Sequence, residues 1–577
     1  MMDNKTSLKK LFVYLKPYMP GIVISIVCAT LNVVMALLVP IKVSEAIDVI
    51  SEKGFVMADL KDALLAALVI ALCSGVFQLA MNNINNSIAF NVVRDIRKDA
   101  FSKLQKLPLK YIDTNPHGMI VSRIIADVDQ LSDGLIMGFT QLFTGVVTIL
   151  MTVVFMLSMN VRIALIVIIL TPLSLFIARF ISTKTYSMFK TQSEIRGDQT
   201  GLINEILNNI KVVKAYSHED ETLRDYDEYN DRLKGASLKA IFFSSLTNPC
   251  TRFVNSLIYA AVTLFGATVV ISGAMSIGTL VCFLSYATQY TKPFNEITGV
   301  ITELQNAIAC AGRIFELMEE KEETPDVNDA AVLSEASGNI EIENVDFSYV
   351  PEKNLIENLN VSVKSGQRIA IVGPTGCGKT TLINLLMRFY DVLSGSISVD
   401  LHDIRAVTRK SLRGQYGMVL QETWLRNATI ADNIRIGNPD ATMDEIIKAA
   451  KECHVHSFIR RMEKGYDTVI SEDGGQLSQG QKQLLCITRI MLDPPPMLIL
   501  DEATSSIDTR TELKIQDAFL KLMEGRTTFI VAHRLSTIKN SDLILVMKDG
   551  KVIEQGSHEE LIGRKGFYEK LYNSQFD

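Results

Sequence analysis

Long uncharged stretches crowd the first half of the chain and are missing from the second. Gly21 to Ile41, Ala63 to Val93, Gly134 to Val161, Ile163 to Ala178 and Phe253 to Thr291 carry no Asp, Glu, Lys or Arg. An α-helix rises about 1.5 Å per residue and a bilayer core is about 30 Å thick, so roughly 20 such residues cross it. The second stretch turns polar from Asn82 to Asn91, as a spanning helix does when it runs on into water. The last is too long for one helix, and Ser272-Gly273-Ala274-Met275-Ser276 divides it. The pattern predicts six spans, at about 20–42, 62–82, 135–158, 161–181, 250–272 and 276–298, in a helical transmembrane domain over 1–320.

Basic residues set the orientation. Lys5, Lys9, Lys10 and Lys16 precede the first span, whereas the loop after it carries Glu45, Asp48, Glu52, Lys53 and Asp59. The N-terminus is therefore expected inside and that loop outside. The charged, helically periodic stretches Arg94 to Asp133 and Lys184 to Lys239 are expected to project into the cytoplasm. An even number of spans leaves the C-terminus inside as well, in a multi-pass protein of the cell membrane. The basic start is not read as a secretion signal, because the apolar run is long enough to span and ends in no small-residue cleavage site.

Composition narrows the classes. Of 577 residues 48% are hydrophobic, and a net charge of −6 with no basic stripe gives no sign of nucleic-acid binding. The eight cysteines are scattered without CxxC spacing, so no disulfide framework is implied. Ionisable groups are nearly absent from mid-membrane positions, and a proton- or sodium-coupled carrier usually needs a carboxylate there. Arg252, Lys292 and Glu296 sit near the inner ends of the last two spans, either as interfacial anchors or as lining of a substrate cavity. The energy for transport must come from elsewhere in the chain.

It is sought in the second domain, placed at 338–577. Gly338 to Tyr349 alternates as a strand, and the apolar run ending at Val372 leads into Gly373-Pro374-Thr375-Gly376-Cys377-Gly378-Lys379-Thr380-Thr381 and then a helical pattern. Strand, glycine loop and helix in this order make a P-loop, in which backbone N–H groups converge on phosphate at a helix N-terminus. Lys379 is expected to reach the β- and γ-phosphates of ATP and Thr380 to hold Mg²⁺. A second apolar strand, Met497 to Leu500, ends in Asp501-Glu502. Asp501 is placed to bind the Mg²⁺ and Glu502 to polarise the attacking water.

Between them lies Leu477-Ser478-Gln479-Gly480-Gln481, which closely resembles the LSGGQ signature of ATP-binding cassette (ABC) proteins. The resemblance extends along the domain. It makes Tyr349 the aromatic that stacks on adenine and Gln421 the glutamine that senses Mg²⁺. It makes Asp508 part of the loop that communicates across a dimer and His533 the switch histidine at the γ-phosphate. Alone, Tyr349 is equally a strand aromatic, Gln421 a surface-loop residue and His533 a helix-cap histidine; their shared order carries the reading. In the first half, Tyr111 to Gly118 and Lys211 to Asp220 resemble the two coupling segments of ABC exporters. The resemblance thus covers nearly the whole chain and implies a six-span exporter domain fused to an α/β nucleotide-binding domain with an antiparallel β subdomain and a helical subdomain. Only about 20 residues precede the first span, which argues against a leader-cleaving peptidase domain.

In that family the P-loop of one subunit faces the signature of the other, so a second half-transporter is implied. ATP closure would turn an inward-facing cavity outward, and hydrolysis would reset it. Gln479 replaces the first of the two usual signature glycines while Glu502 and His533 are present. That combination resembles the catalytically intact partner of bacterial heterodimeric exporters; a homodimer that tolerates Gln479 is the other reading. Apolar spans with Thr, Ser, Asn and Met suit drugs, lipids or hydrophobic peptides alike. An importer is disfavoured by the fusion, and a soluble cassette ATPase by the spans. An ATP-gated channel or regulator on the same scaffold is separated from an exporter by measuring uphill transport.

Overall fold

The computed structural model describes residues 4–51, 57–350, 354–420, 423–471, 477–501, 507–531 and 538–574. They divide into two compact units, Met1–Gln105 with Pro116–Glu320, and Lys106–Asn115 with Lys321–Asp577.

The first unit is helical. Its six principal helices are α1 Met19–Ser51, α2 Met57–Leu104, α3 Phe143–Met159, α4 Val161–Asn208, α5 Glu219–Ile271 and α6 Ile277–Glu319. The polar turn in α2 does not end the helix, which runs on to Leu104. The α3–α4 hairpin turns at Asn160, whose side chain caps α4 by accepting from the N–H of Arg162 and Ile163 at 3.1 and 3.3 Å. The α5–α6 turn uses Gly273 at φ +76°, and Asp48 of α1 secures the start of α6 by accepting from Ser276 Oγ and Gly278 N at 2.6 and 2.8 Å.

Among the described residues four helical stretches are long and apolar enough to cross a membrane: Lys5–Ser51, Met57–Leu104, His117–Met159 and Glu219–Ile271. A shorter apolar stretch, Val161–Pro172, opens α4. The stretch 276–298 lies on α6, where Thr, Ser, Gln and Tyr interrupt the apolar residues of that stretch. Its packing accommodates them. Cys282, Phe283, Tyr286 and Ala287 are buried with Val33 and Leu37 of α1, Met156 of α3 and Val254, Ile258 and Val262 of α5. A helix enclosed by others presents little surface to lipid, and polar groups facing the bundle can bond within it, as Tyr286 Oη does to the Leu37 carbonyl at 2.6 Å.

The second unit is α/β. A six-stranded sheet is built from β3 Arg368–Val372, β6 Tyr416–Val419, β7 Met497–Asp501, β8 Thr527–Val531, β9 Leu543–Lys548 and β10 Lys551–Gly556, in the order β10-β9-β3-β8-β7-β6. All its pairs are parallel except β9–β10. Ile369 to Val372 and Met497 to Leu500 are wholly buried, as expected for parallel strands covered on both faces. A separate antiparallel sheet, in the order β2-β1-β4-β5, contains β1 Ile340–Phe347, β2 Ile356–Val363, β4 Ser394–Val399 and β5 His402–Asp403. Between β6 and β7 the chain forms a helical layer, whose Ile430, Ile434, Ile446 and Leu485 are buried in one core with Ala370, Val372, Leu498 and Leu500 of the sheet.

Within this unit the linker after Glu320 is tied down by charge. Arg409, largely buried, meets Glu323 at 3.1 Å, Asp326 at 2.8 Å and the Thr324 carbonyl at 2.5 Å. Arg413 reaches Glu323 at 3.0 Å.

Candidate active site

Three further helices complete the site: α7 Lys379–Leu386, α8 Gln479–Met491 and α9 Thr509–Met523. Strand register decides where its parts meet. Val531 of β8 pairs with Ile371 of β3 on one side and Asp501 of β7 on the other. On the far side of β7, Leu500 pairs with Val419. The carboxyl ends of four parallel strands therefore lie level, which is where open α/β sheets bind ligands. The chain leaves that edge into Gly373 and Leu420. Glu502, His533 and Gln421 lie outside the described residues.

The glycine loop is shaped by backbone that only glycine adopts cheaply. Gly373, Gly376 and Gly378 take φ of +155°, +81° and +104°. A Cβ at Gly373 would sit 2.2 Å from the Met547 carbonyl oxygen of β9 and 2.8 Å from Cys377 Sγ. The loop folds round the ammonium of Lys379, whose Nζ donates to the carbonyls of Gly373 and Pro374 at 2.8 and 3.0 Å. Cys377 is buried against this ammonium; burial pushes its thiol above the ordinary range and the neighbouring cation pulls the other way. Thr381 is buried too, and Thr375 exposed. A cationic group at the centre of a glycine loop that opens a helix is the donor set a polyphosphate requires.

Tyr349 follows β1 and stands in an aromatic triad. Its ring meets Phe347 and Tyr390 edge-on at centroid distances of 4.9 Å each, and its hydroxyl accepts from Asn384 Nδ2 on α7 at 3.3 Å. The ring is thus tied to the same helix that the glycine loop opens, and it borders a cavity of about 280 Å³. Tyr390 and Asn384 escape the sequence reading, since nothing in their spacing marks them out. Nor does the sequence reveal that Tyr390 Oη donates to Asp113 at 2.5 Å. Asp113 lies on the short helix Leu109–Thr114, whose residues group with the second unit. Burial first, then this carboxylate, raise the Tyr390 phenol.

The stretch Leu477–Gln481 has its own local logic. Ser478 is the N-cap of α8, and its hydroxyl accepts from Gln481 N at 3.3 Å while Gln481 Oε1 accepts from Ser478 N at 2.9 Å. Leu477 is buried, and Gly480 must be small, because a Cβ there would lie 2.5 Å from Thr511 Cγ2 of α9. Gln479 is exposed at the first helical position. A side chain is therefore admissible at 479 within this fold, whereas one at 480 would have to displace Thr511. Asp508 caps α9, accepting from Thr511 N at 2.9 Å; that bond holds its carboxyl below the usual carboxylate range. Among the described residues no hydrogen bond joins 477–481 to the glycine loop.

Level parallel strand ends, a cationic glycine loop and a membrane-spanning helical unit define a transport ATPase. The comparisons specify which. Residues 22–294 match the ABC transporter transmembrane region and residues 356–505 the ABC transporter family. The chain is 38% identical to the uncharacterized ABC transporter ATP-binding protein YfiC of Bacillus subtilis, over all of this chain and 95% of that protein. It is 39% identical to the fatty acid ABC transporter ATP-binding/permease protein of Mycobacterium bovis, over 91% of this chain and 83% of that protein. It is 35% identical to the ATP-dependent lipid A-core flippase of Syntrophus aciditrophicus, over 98% and 94%. A bacterial Atm1-family ABC exporter with ATP bound superposes with a TM-score of 0.78 at 28% identity, over 97% of this chain and 98% of that one. The chain belongs to the ABC transporter family: its fold is that of an exporter membrane domain fused to a nucleotide-binding domain, and its ATP hydrolysis is coupled to transport.

Proposed function

We propose that this chain is half of a dimeric exporter in a bacterial cell membrane, spanning it six times with both termini in the cytoplasm. It moves an amphiphilic or hydrophobic substrate, whether drug, lipid or peptide, by alternating access. Relatives named for fatty acids, for lipid A-core and for multidrug export support that substrate range. ATP lies along the glycine loop with its adenine against Tyr349 and its phosphates near Lys379. Mg²⁺ supplies charge neutralisation at the phosphates and would be held by Thr380, Asp501 and Gln421. Glu502 orients and polarises the attacking water, and His533 contacts the γ-phosphate. Leu477, Ser478, Gly480 and Gln481 serve the ATP of the partner subunit, and Asp508 faces the dimer.

The observation that carries the dimer reading is Gln479, an exposed side chain at the N-terminus of α8 where the family has glycine. Its own fold accepts it, so the constraint that favours glycine there must come from outside the subunit. A partner whose ATP must approach that backbone would be weakened, which favours a heterodimer in which this chain supplies the intact catalytic set. The test is ATP turnover by the chain alone in lipid nanodiscs, with its mass determined, beside Glu502→Gln. Inertness alone, with Glu502-dependent turnover restored by a second half-transporter, is the expected result. Turnover by a dimer of this chain that Glu502→Gln abolishes makes the exporter a homodimer.

A further inference from the structure

Two cations in the first unit face one hollow without an acid between them. A cavity of about 230 Å³ lies between α5 and α6, lined by Arg252, Asn255 and Tyr259 of the former and Thr288, Thr291 and Lys292 of the latter. Among the described residues neither Arg252 nor Lys292 has an ion-pair partner, and Glu296, one turn beyond Lys292, does not bond to it. Asn255 Oδ1 is buried there with no hydrogen-bond partner. Both cations are exposed and line the same hollow, where an anion would be attracted to each of them. A lipid-interface anchor needs neither a shared hollow nor a buried, unsatisfied amide.

Depth points to the kind of ligand. The turn at Ser272–Ser276 marks one face of the bilayer. At about 1.5 Å per residue, Arg252 lies about 29 Å and Lys292 about 23 Å along their helices from that turn. In a hydrocarbon core about 30 Å thick, Arg252 stands at the opposite boundary, where headgroups meet tails, and Lys292 starts roughly 7 Å short of it, a depth from which a lysine side chain reaches that boundary. The hollow is smaller than the roughly 300–1,000 Å³ of sites that enclose a drug-sized molecule. It suits a headgroup whose tail stays in lipid.

We infer that this hollow is the headgroup subsite of the exporter, binding the carboxylate or phosphate of an anionic amphiphile. The inference rests on the export reading and narrows its substrate class. The test uses the exporter in dodecyl maltoside, whose head carries no charge, with photoactivatable palmitic acid as probe and mass spectrometry to locate the adduct. Labelling is expected on α5 or α6 beside Arg252 and Lys292. Lysophosphatidic acid should displace it, whereas palmitic acid methyl ester and inorganic phosphate should not. Arg252→Gln with Lys292→Gln should lower labelling at least tenfold, and Lys292→Arg should retain it. Equal displacement by the ester would make the pocket merely apolar, and displacement by inorganic phosphate would make it a free-anion site. Either result, or labelling indifferent to neutralisation, overturns the inference. Labelling is read without ATP, so a missing Glu502-dependent turnover would count against the export reading alone.

Discussion

Two glycines in one loop provide a sharp test of the geometry. At Gly373 an added methyl would meet the Met547 carbonyl oxygen at 2.2 Å, more than 1 Å inside ordinary contact at about 3.5 Å. The obstacle is backbone of β9 in a paired strand, so it cannot swing aside as a side chain would. Overpacking of this kind costs about 1–3 kcal/mol, and holding alanine at φ +155° adds a similar amount. At Gly376 nothing lies within 4 Å of the added Cβ. Only the positive φ of +81° opposes alanine, at about 1–2 kcal/mol. Gly373→Ala should therefore be less stable than Gly376→Ala by roughly 2 kcal/mol, or about 4–8 °C in Tm for a domain of this size. Trp424 is the single tryptophan of the chain and lies in the second unit, against Arg489 at 5.9 Å. Its emission on heating reports that unit within the full-length protein. Equal melting of the two variants, or a lower Tm for Gly376→Ala, would refute the placement of Gly373 against β9.

Other outcomes follow from single contacts. Because burial raises the Cys377 thiol, alkylation should be slow at neutral pH and quicken as pH rises. ATP should protect; unchanged ATPase activity after modification would contradict the loop assignment. Tyr390→Phe removes only the hydroxyl that donates to Asp113 and keeps the aromatic triad. It should cost about 1–2 kcal/mol and reduce vesicle transport more than ATP hydrolysis, and equal losses in both would count against a coupling role. His456 bonds Tyr466 Oη at 2.9 Å, and burial first, then Lys451 and Arg460, lower its pKa from the ordinary 6.5. The fold therefore favours neutral His456. Its contribution is complete above 6.5 and declines as pH falls below that value towards the folded pKa. His456→Gln should flatten that part of the stability profile, followed by Trp424 emission.

What was legible from the sequence was whatever depends on local pattern. Uncharged runs of spanning length are set by the bilayer, and Gly21 to Ile41 and Ala63 to Val93 fall within the longer helices α1 and α2. The glycine loop is legible because positive φ leaves its mark as glycine at 373, 376 and 378. Ser478 and Asp508 also cap α8 and α9 through their own neighbours alone, a local role that their reading as signature and dimer-loop residues left unassigned. Contacts between distant segments leave no such trace. Asp113 and Tyr390 are 277 residues apart in the chain, and neither spacing nor periodicity joins them. The tertiary structure alone sets Gly480 against the methyl of Thr511 and leaves Gln479 at the surface. It alone brings Arg252 and Lys292 to one hollow, on helices whose sequences read equally well as interfacial anchors. Local motifs are written in short-range backbone preferences, whereas convergence of side chains depends on how helices and strands pack, which no short window of sequence contains.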